Sequence, residues 1–243
     1  MTHCKYCHNT VLWLSEFVWF CTNCGRGESV AEFNSNVYDS NYMESYIKRG
    51  ATDVGKRLTA SRVGLTSYFL PTDLELADFG CGAGNFIVEA SKFWKVTGIE
   101  ATEAGALAVH FHTNQTVVSY DKFISGDKQY DAITFFDSLE HVPNLNQFFS
   151  KIMDCLKLNG IVVVTMPELP NQMAPQDFKD WRHNKPYEHL SYFTQDGFKR
   201  FLNQYEVKIL LIENNESFLR FDPNNSQRNI MTFVAQKITS NPR

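Results

Sequence analysis

The sequence predicts an α/β protein: a mainly parallel, doubly wound sheet with a small four-cysteine module at its front. Three observations carry that expectation. From residue 74 onward, strand-length apolar runs alternate with helix-length amphipathic runs, the pattern of a parallel sheet covered on both faces by helices. The last two apolar runs, VKILLIEN and IMTFVAQK, are joined by a polar loop with no convincing helix, and so read as a terminal antiparallel pair. Ahead of all this stand two Cys-x-x-Cys pairs, with thirteen residues between Cys7 and Cys21.

The elements follow in order. LELADFG is a strand, the glycines after it a loop, GNFIVEASKFW a helix and KVTGIE a second strand. TEAGALAVHFHTN is the second helix, TVVSY the third strand and YDAITFF the fourth. Leu145, Phe148, Phe149, Ile152, Met153 and Leu156 form a helical stripe. Asn159-Gly160 ends that helix, and IVVVTMP is a fifth, fully buried strand. Upstream, Tyr38, Tyr42 and Tyr46 recur every four residues and share one helical face. That face is expected to pack against the main domain, with a lid over a ligand as the alternative. PYEHLSYF leads into a helix that Thr194 caps. The resulting division is residues 1–27 as a ribbon, 28–64 as a helical linker or lid, and 65–243 as the main domain.

The 243 residues are 43% hydrophobic and 21% charged, with a net charge of −4. That is ordinary for a globular protein and long enough to bury a core without staples. An acidic balance with no Lys/Arg run longer than two offers no general attraction to nucleic acid or to an anionic membrane. No apolar stretch reaches the ~18 residues of a membrane span, and MTHCKYC lacks the basic start of a signal peptide. The expected compartment is the cytoplasm, where cysteines serve as metal ligands or buried thiols rather than disulfides.

Zinc takes four soft ligands in a tetrahedron, and each Cys-x-x-Cys turn presents two thiolates. Cys4, Cys7, Cys21 and Cys24 supply the set, and the apolar residues between the pairs suit two short strands of a zinc ribbon. A redox Cys-x-x-Cys would open a helix beside a βαβ unit, and this one does not. Four thiolates leave no open position, so the zinc is expected to be structural. His3 and His8 read as exposed neighbours, and Cys81 and Cys155 as bystander thiols.

The loop after the first sheet strand is Asp78-Phe79-Gly80-Cys81-Gly82-Ala83-Gly84-Asn85. A dinucleotide site wants G-x-G-x-x-G to bring pyrophosphate onto the helix N-terminus; here the glycines read G-x-G-x-G, behind an acid. Glu100 ends the second strand, where a carboxylate accepts ribose hydroxyls. An acid, spaced glycines without a phosphate fingerprint and a ribose-grade carboxylate fit S-adenosylmethionine (SAM), whose sulfonium is cationic.

These residues also carry a resemblance. LADFGCGAGNF followed by VTGIEAT resembles motifs I and II of class I SAM-dependent methyltransferases, FFDSLEHVPN the stretch after their fourth strand, and NGIVVVTMP their fifth. The likeness covers about residues 65–237. It implies a Rossmann-like, seven-stranded sheet whose last strand is antiparallel. It further implies that Asp78, Gly80, Gly82 and Gly84 line the methionine and ribose, that Glu100 takes the ribose hydroxyls, and that Ala101 lies beside adenine. Phe136 and Asp137 would face the donor near its methyl.

PYEHLSYF resembles the Tyr/His-Glu-His-Leu-x-Tyr-Phe stretch of sugar C-methyltransferases, enzymes that often carry a Cys4 zinc module and a Tyr-Asp-x-x-Tyr segment, here Tyr38 to Tyr42. That likeness implies His189 as general base, with Tyr187 and Glu188 positioning substrate; the first His of His-Glu-His is Tyr187 here. Asp137, Glu140 and His141 resemble the Glu-x-x-Glu-His set that binds magnesium in ubiquinone-pathway O-methyltransferases, although LEHV also occurs in the superfamily without metal, and a metal-free constellation is the expectation. Arg182 is expected to place a cation at the entrance.

The expected function is therefore SAM-dependent, in-line methyl transfer to a small-molecule acceptor, a sugar or nucleotide-sugar. The alternative is an RNA methyltransferase whose ribbon binds nucleic acid. Against it, residues 1–50 hold four Lys/Arg and five Asp/Glu, whereas a ribbon that neutralises phosphates is basic. A binding protein without catalysis is the third reading, and an intact Asp78, glycine loop and Glu100 argue against it.

Overall fold

The computed structural model describes residues 2–34, 37–113, 115, 117–220 and 229–239, with the side chains of residues 111 and 112 excepted. At the front, β1 (Leu12–Trp13), β2 (Val18–Cys21) and β3 (Arg26–Ser29) form an antiparallel meander. Helices α1 (Ser40–Ala51) and α2 (Asp53–Phe69) follow. Each has a side-chain cap: Asp39 accepts from the Tyr42 N–H, and Thr52 from the Gly55 N–H.

The main sheet then builds from β4 (Glu75–Phe79), β5 (Lys95–Ile99), β6 (Val117–Val118), β7 (Tyr130–Phe136) and β8 (Leu156–Pro167). These five run parallel in the spatial order β8-β7-β4-β5-β6. Between them lie α3 (Asn85–Ala90), α4 (Glu103–Thr113), α5 (Tyr120–Ser125) and α6 (Leu145–Cys155). After β8 come α7 (Pro175–Asp180), β9 (Ser191–Phe193) and α8 (Gln195–Leu202), then β10 (Val207–Glu213), α9 (Asn215–Leu219) and β11 (Ile230–Lys237). Strand β11 is antiparallel to both β8 and β10, completing seven strands in the order β10-β11-β8-β7-β4-β5-β6. The expected fold class is the observed one.

Strand β9 does not join that sheet. It pairs antiparallel with β3, so that the ribbon becomes a four-stranded sheet whose last strand comes from the main domain. Beneath this junction Leu14, Val18 and Phe20 share a buried cluster with Leu169, Phe178, Trp181 and Tyr192. The Thr194 N–H donates to the Gly25 carbonyl at 2.9 Å, and Thr194 also caps α8 as expected. The ribbon is therefore packed onto the rim of the main sheet.

Several elements differ from expectation: α3 ends at Ala90 rather than Trp94, α5 is an added helix, and three further differences have identifiable reasons. The third strand shrinks to the two residues that meet Gly98 and Ile99 of β5. Helix α6 ends at Cys155, not at Asn159-Gly160, because Leu156 already pairs with Tyr130 and the Lys237 ammonium takes the Met153 and Leu156 carbonyls. In the last connection α9 forms where no helix was expected: Glu216 is buried against Arg62 and Arg220, a tertiary anchor absent from local propensity. The rest of that polar loop, 221–228, lies outside the described residues. No helix among the described residues is long and apolar enough to cross a membrane.

Candidate functional site

Strand β4 delivers the chain into the glycine loop at the C-terminal edge of the sheet, where ligands of such folds bind. Gly80 has φ +70°, and a Cβ there would sit 2.5 Å from the Cβ of Ser138. Gly82 has φ +54°, and its missing Cβ would meet no heavy atom nearer than the Gly80 oxygen at 4.0 Å, because that side faces a cavity. Gly84 is different: it turns the chain into α3 and packs on Thr113 and Val109 of α4, away from the cavity. The ligand-lining role that the resemblance implied for Gly84 is thus replaced by a helix-packing one.

Glu100 follows β5 directly. One carboxylate oxygen accepts the Gly82 N–H at 3.1 Å, and the other accepts the Thr102 N–H and hydroxyl at 3.1 and 3.0 Å. The acid thus fixes the loop it faces. Asp78 lies beneath the loop, 3% exposed, and accepts the Thr134 hydroxyl at 2.7 Å. Burial pushes its carboxyl up to about 7. It does not line the cavity.

The cavity measures about 520 Å³. Gly80, Gly82, Glu100, Ala101, Phe136, Ser138 and His141 all line it. Its roof is the tyrosine face: Tyr38 meets Tyr42 edge-on at 5.1 Å, and Tyr42 meets Tyr46 at 4.9 Å. The tyrosine face of α1 thus lines this cavity. Burial raises all three phenols above their ordinary range, so they stay protonated.

Asp137, at φ +57°, lines the cavity but turns its carboxylate to two arginines. Arg62 lies at 2.9 Å and Arg220 at 2.7 and 3.0 Å, and both also hold Glu216. Burial alone would raise the Asp137 carboxyl, but the Arg220 and Arg62 charges outweigh it and hold it below the usual carboxylate range. The group that was to face the donor methyl is committed to this network. Phe136 keeps its place on the cavity wall, with the Arg62 guanidinium 4.6 Å above its ring. Arg62, Glu216 and Arg220 gave no signal in the sequence, because Arg62 lies 154 residues from Glu216, and Glu216 and Arg220 sit together at α9.

His141 ends a single 3₁₀ turn (Leu139–His141) after β7. Its Nδ1 lies 2.9 Å from the Glu188 carbonyl and 2.8 Å from the Tyr38 hydroxyl. Burial lowers its pKa, so the ring is neutral near pH 7. His189 stands behind it with ring centroids 4.9 Å apart, 5% exposed, its Nδ1 on the His183 carbonyl at 3.0 Å. Burial drives His189 well below the ordinary imidazole value. Tyr187 packs on Phe17 at 5.2 Å, and Glu188 pairs with Lys185 at 3.2 Å. Tyr187, Glu188 and His189 do not line the cavity; His141 does. Glu140, His141 and His189 bring ligand atoms within 4.8 Å of one another, without Asp137. Burial lifts Glu140 to about 8, so it is largely protonated at neutral pH and is a poor cation ligand as it stands.

At the front, Cys4 and Cys24 place their sulfurs 3.7 Å apart, Cys7 and Cys21 3.4 Å apart, and all four lie within 4.8 Å. A tetrahedron with Zn–S bonds of ~2.3 Å has sulfurs about 3.8 Å apart, so the donor set fits that ion. His3 and His8 are exposed and outside the cluster. Burial holds the Cys81 and Cys155 thiols above their ordinary value, as suits inert side chains.

A doubly wound sheet with an acid-anchored glycine loop and a carboxylate at the end of the next strand defines a nucleoside-binding α/β fold. Residues 43–211 match the methyltransferase domain family, and the chain belongs to that family. A ubiquinone biosynthesis O-methyltransferase from Rickettsia bellii (strain OSU 85-389) is 30% identical over 101 residues, 39% of this chain and 42% of that protein. The chain thus spans about two fifths of the length of the curated relatives it matches. Among solved structures, the [4+2]-cyclase SpnF superposes with a TM-score of 0.64 at 16% identity, covering 88% of this chain and 99% of that one. An S-adenosylmethionine-dependent methyltransferase from Clostridium acetobutylicum gives 0.61 at 10% identity, covering 83% and 100%. At such identities the two structures show the fold alone.

Proposed function

We propose that the chain is a SAM-dependent O-methyltransferase acting on a hydroxyl of a small acceptor. The observation that carries this reading is one cavity lined both by the Gly80–Gly82 loop and Glu100 and by Tyr38 and His141. Bound SAM supplies an electrophilic methyl on a sulfonium cation. Glu100 accepts the ribose hydroxyls, Gly82 lets the ligand approach the backbone, and Ala101 flanks the base. Asp121, on the same wall, offers a carboxylate to an exocyclic amine.

At the acceptor end the aromatic roof excludes water and orients the nucleophile. The Glu188 carbonyl beside Nδ1 favours the His141 tautomer protonated there, an assignment made from the hydrogen-bond network. A neutral His141 imidazole would take the acceptor proton as the O–CH₃ bond forms and the methyl–sulfonium bond breaks, leaving the neutral thioether. His189, read from the sequence as the base, is better suited to fixing the His141 ring from behind. The O-methyltransferase named among the relatives agrees with a hydroxyl nucleophile; a sugar or nucleotide-sugar acceptor remains within this proposal. Cys4, Cys7, Cys21 and Cys24 hold a structural zinc, and residues 1–27, 28–64 and 65–243 serve as ribbon, lid and transferase.

Methyl transfer from isotope-labelled SAM to a panel of phenols and sugars tests the reading. His141→Ala should keep the affinity for S-adenosylhomocysteine (SAH) while losing roughly 10²–10⁴-fold in turnover. Unchanged turnover in that variant would remove His141 as the base.

A further inference from the structure

A second cavity, about 540 Å³, lies between the ribbon and the start of α6. Phe33, Val142 and Pro143 line both cavities, so the two spaces adjoin along these residues. Their chemistry differs. The first is lined by eight Phe and Tyr side chains, whereas the second has fewer rings and presents amide, hydroxyl, carboxylate and ammonium groups. Its ribbon side is Lys5 and Tyr6, the two residues inside the first cysteine turn, together with Glu28 of β3. Its other side includes Asn144, Gln147 and Ser191.

Several of these groups are unspent. The side-chain amides of Asn144 and Gln147 have no hydrogen-bond partner among the described residues, and α6 begins without a side-chain cap. Ser191 is only 5% exposed, and its hydroxyl has no partner either, although it borders the cavity. That hydroxyl is open to the cavity, and a ligand's hydroxyl or carbonyl could pair with it there. Glu28, by contrast, is anchored by Lys5 at 2.6 Å, Arg26 at 2.9 Å and the Tyr6 hydroxyl, so it is held rigid with lone pairs to spare. Open amides, an anchored carboxylate and the flank of a tyrosine ring suit a polyhydroxylated group, whose hydroxyls both donate and accept and whose C–H face packs on an aromatic ring.

We infer that this cleft is the second half of the acceptor site, holding a polyhydroxylated part of the substrate while the methyl-accepting hydroxyl lies in the first cavity. The inference rests on the assignment of the first cavity to SAM and the acceptor hydroxyl. It gives the ribbon a direct role: the first cysteine turn is a wall of the acceptor site.

The test uses the intact chain and a matched pair of phenols, hydroquinone and its glucoside arbutin. Calorimetry first measures SAH binding, and competition or saturation-transfer NMR then measures each phenol on the SAH-loaded protein. The glucoside should bind about tenfold more tightly, the worth of one or two hydrogen bonds, with saturation reaching its sugar protons. Gln147→Leu, at an exposed position, and Ser191→Ala should each remove most of that advantage and leave SAH affinity unchanged. Equal affinity for the two phenols, or an advantage that both variants retain, overturns the cleft assignment. Failure of SAH itself to bind strikes the underlying methyltransferase reading instead.

Discussion

Arg62→Met tests the four-charge network under α9. Arg62 reaches Asp137 at 2.9 Å and Glu216 at 2.7 and 2.9 Å, while Arg220 covers the same two acids from the other side. The side chains are 5–26% exposed, so solvent screens them little. Methionine keeps the length and the contact with Phe136 but leaves two carboxylates with one guanidinium. Breaking a buried pair from one side costs about 3–5 kcal/mol. The lower figure suits a network in which Arg220 remains, and for a chain of this size about 3 kcal/mol lowers Tm by roughly 10 °C. Adding Glu216→Gln restores charge balance, and the double variant should recover much of the loss, which makes the coupling visible. Urea denaturation of the two single variants and the double measures it. A cost below about 1 kcal/mol for Arg62→Met, or simple additivity in the double variant, would refute a coupled buried network.

Other outcomes follow from the same geometry. Burial raises Asp78 to about 7 and Glu140 to about 8, so the folded chain keeps protons that the unfolded chain releases near pH 4. Stability should therefore fall as pH rises from about 4 to 8 and level off above, with Asp78 accounting for at most about 4 kcal/mol. Asp78→Asn should flatten the lower part of that profile, as denaturation across pH would show. A Cβ at position 82 enters the cavity at φ +54°, so Gly82→Ala should weaken SAH binding at least about tenfold while far-UV circular dichroism stays unchanged. The ribbon should carry one zinc per chain by metal analysis. Cys24→Ser should lose it and loosen β1–β3, read as faster amide exchange there with the main sheet still protected.

Most of the main sheet was legible because periodicity reports burial, and buried strands and amphipathic helices dominate residues 74–237. The stripe from Leu145 to Met153 is buried as expected. Glu100, Gly80 and Gly82 could be read as a strand-end acid and a glycine loop because that pattern lies in motif spacing, and all three line the cavity. What escaped depends on distant partners. Strand β9 exists because β3 offers it an edge, and α9 because Arg62 buries Glu216. His189 looked like the base from local sequence, but His141, 4.9 Å from it ring to ring, lines the cavity and His189 does not. Asp137 looked free for the donor until two arginines, 75 and 83 residues away, claimed it.

The central claim is that the cavity above the glycine loop holds SAM through Glu100. Calorimetric titration of SAH into the intact chain tests it most directly. The account predicts one site, weakened about tenfold or more in Glu100→Gln, where an amide N–H meets the loop donors and the ribose hydroxyls lose a charged acceptor. Folded protein that takes up no SAH, or binds it equally well without the Glu100 carboxylate, would contradict the claim.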